Sequence, residues 1–266
     1  MSLSVGVVGG GAAGQMAAVV AAQSGHRVTL LEKNEKLGKK LYITGKGRCN
    51  VTNDGGRDGF FSSVIRNPRF LYSAYAAFNE RDMMAFLERN GCPVKVERGQ
   101  RVFPASDKSS DVQKALDRAL KAAGVNIRLN TDVREILTED GTLWGVRTDR
   151  GREPFDRVIL TTGGMSYPST GSTGAGFEMA KALGHTVTPL YPSLVPLETV
   201  ESWPFALSGI TLKNVRLTAK KGGKTIYSEQ GEMLLTHFGV SGPLVLTCSA
   251  YIAEDPAGTA LSIDLK

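Results

Sequence analysis

The sequence predicts an α/β fold, a Rossmann-type unit followed by a β-rich one. Three observations carry this. The first 32 residues read strand, glycine turn, small-residue helix, strand, acid. A second apolar strand, Phe155 to Leu160, runs into Thr161-Thr162-Gly163-Gly164, at the strand end where α/β sheets place ligands. From Thr186 the character changes. Pro189, Pro192, Pro196 and Pro204 punctuate the chain, and segments such as Ile210-Thr211-Leu212 and Val215-Arg216-Leu217 alternate with the period of a half-buried strand. A boundary near residue 190 gives units 1–189 and 190–266.

Leu3 to Val8 is a short apolar run and reads as a buried strand. Gly9, Gly11 and Gly14 follow in G-x-G-x-x-G spacing. Gly9 permits a tight turn, Gly11 lets the backbone approach a pyrophosphate, and Gly14 lets helix and strand pack closely. The helix continues through Ala17, Ala18, Val19 and Ala22. Its first turn, with Ala12 and Ala13, offers unpaired N–H groups and a positive dipole end to phosphates. The next strand, Arg27 to Leu31, ends at Glu32, which can accept hydrogen bonds from a ribose hydroxyl pair. Glu32 also argues against a 2′-phosphate there, because two anions repel. A plain βα turn does not explain three spaced glycines followed by a strand-end acid.

Lys33 to Asn53, rich in Lys and Gly, is too long for an ordinary connection, and long ordered loops are often functional. Phe70 to Asn90 has helical periodicity in Leu71, Ala74, Tyr75, Phe78, Met83, Phe86 and Leu87, with Gly91 as its stop. Val94 to Glu97 and Arg101 to Phe103 read as short strands around a Gly99 turn. Ser109 or Ser110 is the expected cap of a helix carrying Val112, Leu116, Ala119 and Leu120, which ends at Gly124. Val125 to Leu129, Val133 to Leu137 and Leu143 to Thr148 are expected strands, the last two flanking a Glu139-Asp140-Gly141 turn. A helix from about Ala175 to Leu183 stops at Gly184.

Composition narrows the class. The chain has 266 residues, 41% hydrophobic and 22% charged, enough for one large core or two moderate ones, and disorder is not expected. The strand signal begins at the third residue, which leaves no room for a signal peptide. No apolar run approaches membrane-spanning length, so no membrane partner is expected. Cys49, Cys92 and Cys248 are odd in number and far apart, without a C-x-x-C pair. Neither a disulfide framework nor a metal site is expected, and a cytoplasmic location fits. A net charge of +6 permits a nucleic-acid or phosphate-rich partner as readily as a solvated basic surface.

Longer strings are more specific. They are Gly45-Lys46-Gly47-Arg48-Cys49-Asn50-Val51-Thr52-Asn53, Gly163-Gly164-Met165-Ser166-Tyr167-Pro168, Gly171-Ser172-Thr173-Gly174, Gly184-His185-Thr186-Val187 and Thr236-His237-Phe238-Gly239-Val240-Ser241-Gly242-Pro243. Together they resemble the BaiN/RdsA-type family of NAD(P)/FAD-dependent oxidoreductases over essentially the whole chain. The resemblance implies a Rossmann-type two-dinucleotide-binding FAD domain followed by the start of a β-rich, barrel-like domain. The Thr162-Gly163-Gly164 element is similar to one that large flavoproteins of this type carry near the flavin nucleotide, which favours FAD over NAD. Gly9, Gly11, Gly14, Glu32, Gly163 and Gly164 would then hold FAD, with Ala12, Ala13, Lys33, Gly45, Val133 and Thr162 as further contacts. Arg48, Cys49 and Asn50 would lie in the loop near the flavin.

Two departures from the family pattern matter. Ala175 stands where a small-Gly-acid-Gly turn would carry its acid. Family members also continue further, through a helical insert and back to the FAD domain, whereas Ile263-Asp264-Leu265-Lys266 resembles the entry to that insert. The chain is therefore expected to be C-terminally truncated, keeping its adenosine-side contacts but binding FAD poorly.

The activity the resemblance implies is reduction of an activated C=C bond, with uridine to dihydrouridine in ribosomal RNA as one substrate class. Such a reduction needs a proton donor within hydrogen-bonding reach of the substrate. Cys49 is a candidate because Lys46 and Arg48 can perturb its pKa; a half-buried structural thiol is the alternative. Arg48 itself is a second candidate, and His237, beside Phe238 and before the Gly239/Gly242 turn, a third. For His237 a satisfied structural histidine is the competing reading. Tyr167 and His185 read better as turn and helix-end residues. Lys33, Lys36, Lys39, Lys40, Lys46 and Arg48 form one basic group, expected near the cofactor, and Lys213, Arg216, Lys220, Lys221 and Lys224 another, either of which is equally a solvated face. A flavin oxidase or reductase of a small molecule, amine or steroid-like, stays open, as does a non-catalytic nucleotide-binding fragment. No second G-x-G-x-x-G appears, so NAD(P)H as electron donor also stays open.

Overall fold

The computed structural model describes residues 1–265. The chain divides into two compact units, Met1–Val187 and the part from Thr188 onward. The first begins with β1 (Ser4–Val8), α1 (Ala12–Gln23) and β2 (Arg27–Leu31), then α2 (Lys39–Ile43), β3 (Thr52–Asn53), α3 (Gly56–Ser63), α4 (Tyr72–Ala77) and α5 (Glu80–Arg89). The hairpin β4 (Val94–Glu97) and β5 (Arg101–Pro104) leads to α6 (Ser109–Ala122) and β6 (Asn126–Arg128). A meander of β7 (Val133–Glu139), β8 (Thr142–Thr148) and β9 (Gly151–Pro154) precedes β10 (Arg157–Leu160) and α7 (Ala175–Ala182).

The parallel sheet has the order β10-β1-β2-β6. Its register places the site. Val8 pairs with Leu160 on one side and with Leu31 on the other, so the residues after three strands emerge at one edge. Neighbouring strands leave β1 in opposite directions along the sheet, which opens a crevice at their C-terminal ends. On one face Val5, Val7 and Leu30 pack with Ala18 and Val19 of α1 and Leu116 and Leu120 of α6. On the other, Val8 and Leu31 pack with Val133, Val146 and Phe155 of the meander region and Met179 of α7. This is a Rossmann-type α/β unit.

Several expectations are corrected. The helix expected over Phe70 to Asn90 is broken, because Phe78 is extended (φ −158°) and Asn79 starts α5 afresh. The Asn79 side chain accepts from the Arg81 and Asp82 N–H groups and Asp82 answers to the Asn79 N–H, a capping box that outcompetes continued helix. Neither Ser109 nor Ser110 caps α6. Lys108 occupies that position, and the Ser109 hydroxyl donates to Tyr42 O at 3.1 Å. Lys33 to Asn53 is not one loop, since it holds α2 and β3. Phe155 precedes its strand, donating its N–H to Trp144 O at 3.1 Å. The Asp140-Gly141 turn has positive φ at both residues (49° and 73°), as a two-residue hairpin requires.

The second unit holds β11 (Leu197–Glu198), α8 (Trp203–Ala206), β12 (Thr211–Lys221), β13 (Lys224–Thr236), β14 (Gly239–Ser241), α9 (Pro243–Ile252) and β15 (Thr259–Leu265). The strands form an antiparallel sheet in the order β11-β14-β13-β12-β15. Val215, Leu217, Met233 and Leu235 alternate inward and pack with Leu244, Val245, Cys248 and Ile252 of α9. Burial pushes the Cys248 thiol up to about 11 from 9.0, and burial, helped by Glu229, pushes the Tyr227 phenol up to about 12 from 10.0. Both groups are neutral at pH 7 and ionise first in the unfolded chain. Their contribution is present below pH 9 and is lost as pH rises further. The resistance of this unit to denaturant is expected to fall between pH 9 and pH 11, and Cys248→Ala should flatten that alkaline limb. An unchanged limb would exclude the thiol as its source.

Candidate functional site

A cavity of about 450 Å³ lies in the crevice of the first unit. The glycine turn forms its floor. Gly9 has φ +105° and donates its N–H to Leu31 O at 2.8 Å. A Cβ on Gly14 would lie 1.8 Å from Gly9 O and 2.7 Å from Thr161 Oγ1, so this crossing of α1 over β1 admits only glycine. Gly11 is different, because space is open where its Cβ would stand. It precedes α1 without a side-chain cap, and Ala12 and Ala13 of the uncapped first turn line the cavity. Free backbone N–H groups and the positive end of the helix dipole thus face an open volume, an arrangement suited to a phosphate.

Glu32 is buried (7% exposed) and lines the cavity. Its Oε2 accepts the Gly10 N–H at 2.7 Å, and its Oε1 accepts the Asn34 N–H at 2.8 Å and Asn34 Nδ2 at 2.6 Å. A carboxylate has about four acceptor positions, so these three bonds leave one unused. Glu32 therefore locks the glycine turn before it meets any ligand, a task the sequence reading did not foresee.

One wall is Lys33, Asn34 and the stretch from Gly38 to Leu41. The other holds Val133, Thr161 to Gly163, and Thr170 to Ser172. Three long hydrogen bonds join the first wall to the 166–173 segment. Lys33 Nζ donates to Thr173 Oγ1 at 3.4 Å, Asn34 Nδ2 to Thr170 O at 3.2 Å, and Lys40 Nζ to Ser166 Oγ at 3.3 Å. Ala175, at the departure from the family pattern, lies with Met179 on an apolar part of the lining. Lys33, Lys39 and Lys40 share the lining with Glu32 and Asp132, and Lys39 pairs with Glu35 at 3.2 Å, so the α1 terminus is what favours an anion in the cavity.

Of the residues expected at the cofactor, Gly9, Gly11, Ala12, Ala13, Glu32, Lys33, Val133, Thr162 and Gly163 line the cavity. Gly14 lies beneath it as a packing residue. Gly164 is outside the lining, and its carbonyl accepts the Gly174 N–H at 3.2 Å. Gly45, Arg48, Cys49 and Asn50 are also outside it. Lys39 and Lys40 of the basic group and Thr161 of the strand-end element line it as well, whereas Asn34 and Gly38, in the early half of the Lys-rich stretch, were not foreseen. Asn34, two residues after a strand-end acid, was the available signal.

The expected activation of Cys49 is corrected. Its side chain is 2% exposed and packs in the core with Leu37, Leu87 and Val112. Burial raises the thiol pKa, opposed only by a hydrogen bond with Thr44, so neither Lys46 nor Arg48 activates it. Arg48 is occupied elsewhere. It donates to Asp107 at 2.8 Å and Glu97 at 2.5 Å, and its guanidinium lies 4.0 Å from the Phe103 ring centroid. Lys95 completes the cluster at 2.6 Å from Asp107. Hydrogen bonds from Arg48 to Glu97, and from Lys95 and Arg48 to Asp107, hold both carboxyls below their ordinary range. Arg48 thus clamps the 45–50 turn to the β4–β5 hairpin. His237 belongs to the second unit, exposed between β13 and β14, with its ring edge-on to Phe238 at 5.0 Å.

Cys49, Cys92 and Cys248 are free and buried. A thiol reagent is expected to label the native protein far more slowly than the denatured one, where all three react; rapid native labelling of Cys49 would contradict its core placement. Among the described residues no cluster suits a metal ion, and no helix is long and apolar enough to cross a membrane.

Comparison with known proteins adds to this geometry. The chain matches the family described as HI0933-like protein Rossmann domain over residues 3–251. It is 34% identical over 252 residues to a 3-dehydro-bile acid delta(4,6)-reductase of Clostridium scindens, covering 94% of this chain and 60% of that protein. It is 30% identical over 252 residues to a ribosomal RNA dihydrouridine synthase of Escherichia coli, covering 92% and 60%. The corresponding Haemophilus influenzae protein is 31% identical over 250 residues with the same coverage. The chain thus spans about 60% of the length of these relatives. Among solved structures, an E. coli quinol fumarate reductase chain superposes with a TM-score of 0.54 at 19% identity, covering 84% of this chain and 40% of that one. A 3-ketosteroid-delta4-(5alpha)-dehydrogenase from Rhodococcus jostii does so at 0.50 and 17%, covering 80% and 59%. These two likenesses speak to fold alone.

Proposed function

The chain belongs to the HI0933-like family, the group that also holds proteins of the BaiN/RdsA type, and from that membership we propose that it is an FAD-dependent oxidoreductase that reduces an activated C=C bond. The observation that carries the reading is the crevice itself, where an uncapped helix terminus, an open Gly11 and a strand-end Glu32 face one cavity. These residues fit the adenosine diphosphate part of FAD. The Ala12 and Ala13 N–H groups would take the pyrophosphate, the open acceptor position of Glu32 a ribose hydroxyl, and Val133 the adenine side. Thr162 and Gly163 on the opposite wall would flank the path towards the flavin. Bound flavin supplies hydride transfer; the chain binds, orients and delivers a proton.

Proton delivery is assigned to none of the three candidates: Cys49 serves as a core thiol, Arg48 as a clamp, and His237 belongs to the second unit.

The substrate proposed first is uridine in ribosomal RNA, reduced to dihydrouridine. The names of two relatives and a net charge of +6 support it. A small steroid-like enone is the second reading, favoured by the 34% identity to the bile acid reductase. NAD(P)H is the proposed electron donor, and three reduced cysteines suit a cytoplasmic setting. The test is anaerobic. Flavin-loaded protein is reduced and mixed with uridine-rich ribosomal RNA fragments or with a 3-keto-4-ene steroid. Reoxidation by RNA supports the first reading, reoxidation by the steroid the second, and failure of both overturns the C=C reductase proposal.

A further inference from the structure

The glycine turn has a mechanical problem. Gly9, Gly10 and Gly11 carry no side chains that could fix their backbone, and such a run has large conformational freedom. A site that binds phosphate through backbone N–H groups needs those groups held in place. The Gly10 peptide is held from both ends. Its N–H goes to Glu32, as described. Its carbonyl accepts Gln15 Nε2 at 3.1 Å and the Gly38 N–H at 2.9 Å.

Gln15 is itself held by a residue 98 positions away. Gln15 Nε2 donates to Gln113 Oε1 at 3.1 Å, and Gln113 Nε2 returns a hydrogen bond to Gln15 Oε1 at 2.7 Å. Gln113 Nε2 also donates to Asp117 Oδ1 at 2.8 Å. The two glutamines are 0% and 2% exposed, polar side chains inside an apolar helix interface. Gln113 also sets the neighbouring wall. A Cβ on Gly38 would lie 1.9 Å from Gln113 Oε1, so the amide occupies the space that lets Gly38 (φ +66°) pass and bring Gly38 to Leu41 to the cavity. One buried amide pair therefore touches both the phosphate turn and the wall beside it.

We propose that Gln113 is a positioning residue for the nucleotide site, fixing the glycine turn through Gln15 and Gly10 and the facing wall through Gly38. This rests on the reading of the cavity as a nucleotide site. It predicts a selective effect. Displacing the Gly10 peptide disturbs the N–H groups around the pyrophosphate and leaves the adenosine contact at Val133 in place.

The experiment compares ADP and adenosine binding to the 266-residue chain by ligand-observed NMR titration. Gln113→Met, of similar length without hydrogen bonds, is expected to weaken ADP about tenfold, or about 1.4 kcal/mol, with adenosine affinity within about twofold of wild type. Asp117→Ala, at an exposed position, removes only the outer anchor and is the variant to use if Gln113→Met does not fold. It is expected to weaken ADP about threefold, again with adenosine unchanged. Equal losses for both ligands would mean general loosening and would overturn the positioning role, as would no loss for ADP. If wild type binds neither ADP nor adenosine, the nucleotide reading itself fails.

Discussion

Gly14→Ala is expected to abolish nucleotide binding and to destabilise the first unit by about 3 kcal/mol or more, at the upper end of overpacking costs. The added methyl would sit 1.8 Å from Gly9 O and 2.7 Å from Thr161 Oγ1. The first of these is backbone, and Gly9 is fixed by its own hydrogen bond to Leu31 O. Relief requires lifting α1 off β1, which carries the N–H groups of its first turn away from the cavity. Chemical denaturation measures the stability loss, and ADP titration of the fraction that remains folded measures the binding loss. A variant with wild-type stability would show that α1 does not cross β1 at this distance.

Glu32→Ala has the second largest expected effect. It leaves the Gly10 N–H and the Asn34 N–H without their acceptors at a site that is 7% exposed, and leaves the Asn34 side-chain amide only its bond to Thr170 O. Losing charged acceptors from buried donors costs about 1–3 kcal/mol each when unrelieved, and water entering the cavity will recover part, so a net loss of about 3 kcal/mol is expected. ADP affinity should fall about a hundredfold, both from the lost ribose acceptor and from the freed turn. Glu32→Gln keeps one carbonyl acceptor for Asn34 and should lose less. If Glu32→Ala loses affinity with unchanged stability, the lock on Gly10 is absent and the residue serves the ligand only.

The β1-turn-α1-β2 segment was legible from sequence because each of its residues does a local job. Spaced glycines, a small-residue helix and a strand-end acid report backbone geometry directly, and the structure has β2 at Arg27–Leu31 as read. The break at Asn79 was harder, because the apolar period runs across it and the capping box depends on one side chain turning back. Helix α9 followed a run of strands, and its apolar residues carry little polar contrast to mark the change of period.

The site divides the same way. Gly9, Gly11 and Glu32 were legible, since their chemistry follows from their place in the motif. Cys49 and Arg48 were misread, because a basic loop sequence does not say whether its thiol faces solvent or core, nor that Asp107, 59 residues onward, claims the arginine. The Gln15–Gln113 pair left no trace in sequence, as two glutamines on separate helices become a unit only when α1 and α6 pack.

The most direct test of the central claim is a competition titration of FAD and ADP on the wild-type chain. The account predicts one saturable FAD site from which ADP displaces the flavin nucleotide, with both ligands lost together in Glu32→Ala. Saturable FAD binding that ADP does not disturb, or binding of neither ligand, would contradict the assignment of the glycine-turn cavity.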